Sequence, residues 1–87
     1  MNDTIIRFLN SLDFKNDGIH IYEKIYDYIR INIYITSSNK IRLCIYDRKF
    51  EIYSRLIKIT EKRMSKILTY LGQLDNIFTF FFTKIGE

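Results

Sequence analysis

The sequence contains no alanine, valine, proline or tryptophan, and only three glycines. Isoleucine, lysine, asparagine, tyrosine and phenylalanine stand in their place. Strand propensity favours valine as much as isoleucine, so many isoleucines with no valine reflect codon usage rather than fold. That bias points to an AT-rich source such as a low-GC bacterium, a virus, a phage or a mobile element. A single cysteine, Cys44, excludes an internal disulfide and fits a reducing compartment. No run approaches the ~18 apolar residues of a membrane span. Asp3 and Arg7 flank a short apolar patch that does not read as a secretion signal. The expected location is the cytoplasm of a bacterium or host cell, with no membrane partner.

Catalytic groups are equally scarce. His20 is the only histidine and Cys44 the only thiol. Nothing in their spacing brings them together as a nucleophile and its base. Zinc needs about four nitrogen, sulfur or carboxylate donors, and no such cluster is visible. No glycine-rich phosphate loop exists. The carboxylate pairs Asp13/Asp17 and Asp47/Glu51 flank turns and read as solvated loops. The expectation is a protein that is not an enzyme and takes no cofactor or metal.

What the chain does have is a strong strand pattern. From Tyr28 to Thr36 the odd positions are Ile29, Ile31, Ile33 and Ile35, and the even ones are polar or aromatic. A strand turns alternate side chains to opposite faces, so this run has one oily face and one of tyrosine and charge. Ser37-Ser38-Asn39 breaks the run, with Asn39 suited to a left-handed turn position. Closing a hairpin there sets Thr36 opposite Lys40, Ile35 opposite Ile41, Tyr34 opposite Arg42 and Arg30 opposite Tyr46. Every apolar residue then shares a face, and a one-residue slip would destroy that agreement. A second turn at Asp47-Arg48 pairs Tyr46 with Lys49, Leu43 with Ile52 and Arg42 with Tyr53. The alternation changes phase at Leu56-Ile57, where a bulge or a strand end is expected.

Helical patterns flank these strands. Asn2 or Asp3 caps a first helix with the apolar stripe Ile5, Phe8, Leu9 and Leu12, ending near Phe14. Asn16-Asp17-Gly18 is a turn. Ile19 to Asp27 reads as a short strand or an irregular lead-in, either turned back at Glu23-Lys24 or running straight into the strand at Tyr28. Thr60 caps a second helix with the stripe Met64, Ile67, Leu68 and Leu71, and Gly72 marks its stop. A last strand, Ile77 to Ile85, follows the Asp75-Asn76 turn, with Phe78, Phe80 and Phe82 on one face. Residues 1–87 thus form a single domain. The fold class is α+β: a two-layer sandwich of three to five antiparallel strands with two helices on one face, in the order α-(β)-β-β-β-α-β.

Function has to come from a surface. The outer sheet face gathers Arg30, Tyr34, Lys40, Arg42, Tyr46, Tyr53 and Arg55, with Glu51 its only acid. Cross-strand pairs of this kind also stabilise an exposed sheet by roughly 0.2–1 kcal/mol each without any partner. Tyrosine and arginine nevertheless dominate binding hot spots. The net charge of +4 and pI near 9.3 permit nucleic acid, acidic protein or anionic lipid as partners. The expected function is a small protein-binding inhibitor or regulator that occludes a partner, and self-association is compatible with it. The alternative is an RNA- or single-stranded-DNA-binding domain, with bases stacked on Tyr34, Tyr46 and Tyr53. The motif of the common RNA-binding sheet platforms is absent, however. Lys62, Arg63 and Lys66 read as a solvated helix face.

Overall fold

Every strand pairs with the strand next to it in sequence. The computed structural model describes residues 2–85. Helix α1 spans Asn2–Ser11 and is followed by strands β1 (Lys15–Asn16), β2 (Ile21–Tyr26), β3 (Ile29–Ser37), β4 (Lys40–Asp47) and β5 (Phe50–Lys58), then helix α2 (Glu61–Ile85). The strands form one antiparallel sheet in the order β1-β2-β3-β4-β5. Both helices pack on its isoleucine face, giving the expected α+β architecture with five strands between two helices.

Helix α1 buries Ile5 and Leu9 completely. It ends in a Schellman motif, with Asp13 in the left-handed conformation (φ 68°). Phe14 N–H donates to Leu9 O at 3.0 Å and Asp13 N–H to Asn10 O at 3.1 Å. These bonds satisfy carbonyls the helix would otherwise leave open, and Phe14 buries against the core at the expected stop. The stretch after it is a strand. Glu23 and Lys24 lie inside β2, and the reversal falls at Asp27-Tyr28, where Asp27 has φ 57°.

The β3–β4 register follows the isoleucine alternation from Arg30↔Tyr46 to Ile35↔Ile41. One detail at the loop differs from expectation. Ser37, not Thr36, pairs with Lys40, and Thr36 is left over as a bulge. Asn39 does not take a positive φ; its side chain bonds the Ser37 hydroxyl at 3.1 Å instead.

The β4–β5 register departs further. The turn is Arg48-Lys49, so Asp47 pairs with Phe50 and Tyr46 with Glu51. A shift at Ile52 then sets Ile45 opposite Tyr53, Cys44 opposite Ser54 and Arg42 opposite Leu56. Arg48 accounts for the choice of turn. It takes φ 57°, donates its N–H to Tyr28 O at 2.8 Å and lays its guanidinium 4.7 Å from the Tyr28 ring centre. The two turns at that end of the sheet are thereby pinned together.

Thr60 caps α2 as expected, its hydroxyl accepting from Arg63 N–H at 3.2 Å. The helix does not stop at Gly72, and residues 77–85 are helical rather than a strand. A Cβ at Gly72 would stand 3.4 Å from the Phe8 ring, an ordinary van der Waals contact, so the glycine neither stops the helix nor is demanded by packing. Beyond it the stripe continues through Leu74, Phe78 and Phe82, with Phe78 against Tyr26 and Phe82 against Tyr28. Tertiary packing of this stripe overrides the strand preference of the phenylalanine-threonine run. Asp75, expected in a turn, is a buried helix residue. It accepts from Lys24 Nζ at 2.7 Å and from the Tyr26 hydroxyl at 2.6 Å.

Candidate binding surfaces

The outer sheet face brings together four of the seven residues singled out in the sequence: Arg30, Tyr34, Arg42 and Tyr46. Lys40 lies at the far end of the same face, opposite Lys58. Tyr53 and Arg55 do not belong to it. They share the side of β5 that buries Ile57, so they face the helices, because the shift at Ile52 reverses the expected phase. Arg42 therefore lies between Tyr34 and Leu56, and donates to the Ser54 hydroxyl at 3.1 Å.

The outer-face side chains are bonded to one another. The buried Asn32 amide donates to Glu23 Oε2 at 3.0 Å and accepts from the Tyr34 hydroxyl at 3.1 Å. Tyr34 is in turn hydrogen-bonded to Tyr46. That bond, with burial adding to it, holds the Tyr46 phenol well above its ordinary pKa. The Arg30 guanidinium stacks 4.7 Å from the Tyr46 ring centre, and its Nε lies 3.7 Å from Glu23 Oε2. Arg30 thus bridges Tyr46 and Glu23 by ring stacking and a long ionic contact, its buried Nε making no hydrogen bond. Cys44 is buried among these groups, 3.7 Å from Ser54 Oγ. A shallow depression of about 480 Å³ lies over Tyr34, Arg42, Tyr46 and Glu51.

A second surface runs along β5. Of its nine residues only Ile57 is buried, and the exposed set includes Phe50 (75%), Ile52 (57%) and Leu56 (48%). Ile52 was expected in the core beneath Arg42 and lies in solvent instead. On the helix side, Arg55, Arg63, Lys66 and Tyr70 line a recess of about 240 Å³ between β5 and the first half of α2. The Arg55 guanidinium lies 5.8 Å from the Tyr70 ring centre. Burial and a hydrogen bond with Tyr53 raise the Tyr70 phenol, and Arg55 partly offsets them. Arg63 and Lys66 are exposed, as a solvated helix face would be, and the segment from Arg55 to Lys66 carries five cations and one acid, Glu61.

A third apolar set, Ile77, Phe80 and Phe81, is exposed on the far end of α2. Among the described residues no three histidine, cysteine or acidic side chains are grouped to hold a metal ion, and no helix is long and apolar enough to cross a membrane. Comparison with family models, with curated proteins and with solved structures finds no match.

Proposed function

We propose that this chain is a non-catalytic binding module that docks onto a protein partner and covers part of its surface. The observation that carries this reading is β5: an edge strand exposing apolar side chains along its length, with Phe50 and Tyr53 on the helix side, Leu56 on the outer side and Ile52 at the register shift between them. Exposed apolar groups concentrated on one element are the usual mark of an interaction site, and aromatic side chains are common anchors at such sites. Occlusion suits a small inhibitor or regulator of the kind phages and mobile elements carry. The amino-acid bias toward isoleucine, lysine and asparagine with no alanine, valine or proline supports such a source, and the lone thiol supports a reducing cytoplasm.

A nucleic-acid role through the outer face is the second reading, favoured by Tyr34, Arg42 and Tyr46 lying together over an open depression, with Arg30 stacked on Tyr46 beside it. A base stacked on Tyr46 would have to compete with the Arg30 guanidinium, which already lies 4.7 Å from that ring's centre, and this weighs against it.

The test is capture from an extract of the native host with the tagged chain, followed by nuclease treatment. A protein that survives nuclease, is lost with Phe50→Ser plus Leu56→Ser, and is retained by Tyr34→Ala plus Arg42→Glu is the expected result. Material released by nuclease, with affinity falling steeply as salt rises, would overturn the protein reading in favour of nucleic acid.

A further inference from the structure

The free edge of β5 has a defined pattern of open backbone groups. Ile59 N–H donates to Asn39 O at 2.7 Å, just past the end of the β4–β5 ladder. Antiparallel ladders alternate, so Ile57, Arg55 and Tyr53 aim their backbone groups at β4 as Ile59 does. Ser54, Leu56 and Lys58 accordingly turn theirs outward, away from the sheet. Such a row is a ready template for an added strand.

The charge beside this edge selects what can be added. Arg55, Lys58, Lys62, Arg63 and Lys66 face only one nearby acid in sequence, Glu61. Among the described residues none of the five cations takes part in an ion pair. Arg55, Arg63 and Lys66 meet in the recess that opens between β5 and α2. A second copy of this chain would bring its own Arg55 and Lys58 against these cations, and like charges across strands are destabilising. A nucleic-acid backbone would satisfy the cations but offers no alternating N–H and C=O for the edge.

We infer that the free edge of β5 accepts, as a sixth strand, an extended acidic segment of the partner, whose carboxylates enter the recess of Arg55, Arg63 and Lys66. This rests on the protein-binding reading above and specifies the chemistry of what is bound. The main chain supplies the pairing, Phe50, Ile52 and Leu56 supply apolar contact, and the recess rejects basic or neutral strands.

The probe is a blocked nine-residue peptide alternating glutamate with valine and threonine. Its controls are the same peptide with lysine for glutamate, and a nine-nucleotide oligothymidylate. Titration is followed by fluorescence anisotropy and by amide hydrogen exchange. The glutamate peptide should bind about tenfold or more tightly than the lysine peptide, and slow exchange at the Ser54 and Leu56 amides. Arg63→Glu plus Lys66→Glu should weaken it by about tenfold or more. Leu56→Pro removes an outward N–H and leaves the β4 ladder intact, so it should abolish binding. If that variant fails to fold, the exchange result on the unaltered chain still decides. Unslowed Ser54 and Leu56 amides at saturating peptide, or equal binding of the two peptides, overturns the inference. So does tighter binding of the oligonucleotide. A host protein kept by Arg63→Glu plus Lys66→Glu but lost with Phe50→Ser plus Leu56→Ser would sink the acidic strand alone and leave the docking reading standing.

Discussion

Lys24 and Asp75 form a largely buried ion pair, Nζ to Oδ1 2.7 Å, that ties the second strand to the middle of the last helix. Lys24 also donates to Leu12 O at 2.6 Å, so the end of the first helix joins the same knot. The carboxylate further accepts from the Tyr26 hydroxyl. Removing one partner of such a pair leaves the other charge desolvated without compensation. Asp75→Ala should therefore cost about 3 kcal/mol or more. Replacing the whole set with apolar groups, as Lys24→Met, Tyr26→Phe and Asp75→Leu together, should recover most of that loss. Urea unfolding of both variants measures it; equal destabilisation would mean that packing, not charge, holds the junction.

The β4–β5 register is testable by crosslinking. Cys44 and Ser54 are direct partners whose backbone groups do not bond each other, the arrangement that brings side chains closest. The sulfur and the hydroxyl are already 3.7 Å apart. Ser54→Cys should form a disulfide with Cys44 on mild oxidation, seen as resistance to alkylation by intact mass. Glu51→Cys, the partner of Cys44 in the register expected from sequence, should not. Crosslinking with the second variant and not the first would restore that other register.

Stability should fall in strong base. Burial and the bond to Asp75 push the Tyr26 phenol far above its ordinary pKa, and Tyr46 and Tyr70 are shifted the same way. A phenol whose folded pKa is raised stays protonated after the unfolded chain has begun to ionise at about pH 10. Its stabilising contribution is complete below that pH and is lost as the pH climbs toward the folded value. Unfolding monitored by circular dichroism should set in above about pH 10, with part of the tyrosine absorbance change near 295 nm appearing only as the chain unfolds. A full tyrosine titration in the folded protein would contradict the placement of Tyr26.

Much of the fold was legible because a few residues leave little choice. Ile29, Ile31, Ile33 and Ile35 share a face with Ile41, Leu43 and Ile45 only in registers two residues apart, and the shortness of the loop selects among these even though its Thr36 bulge was not foreseen. The next hairpin misled because Phe50 and Ile52 alternate as though they belonged to the core, whereas both lie in solvent. Apolar groups kept for a surface imitate core pattern, and periodicity cannot tell the two apart. The last helix was obscured by Asp75, a charge in the middle of its buried stripe, and by Gly72 at a plausible stop. Only the distant partners Lys24 and Tyr26 explain the first of these, and nothing in the structure demands the second. Arg30, Tyr34, Arg42 and Tyr46 were placed on the correct face for the same reason that β3–β4 was. Tyr53 and Arg55 were lost with the register of β5.

Because strand order follows sequence order, each hairpin has its partner at hand as soon as it leaves the ribosome. The lid arrives late. Helix α2, 25 residues long, comes after all five strands and covers much of the isoleucine face. At about 5–20 residues per second, its synthesis takes roughly 1–5 s, and the isoleucine face lacks that cover until the helix has been made and released. Until then the oily side can be shielded only by the first helix, by a chaperone or by another unfinished chain.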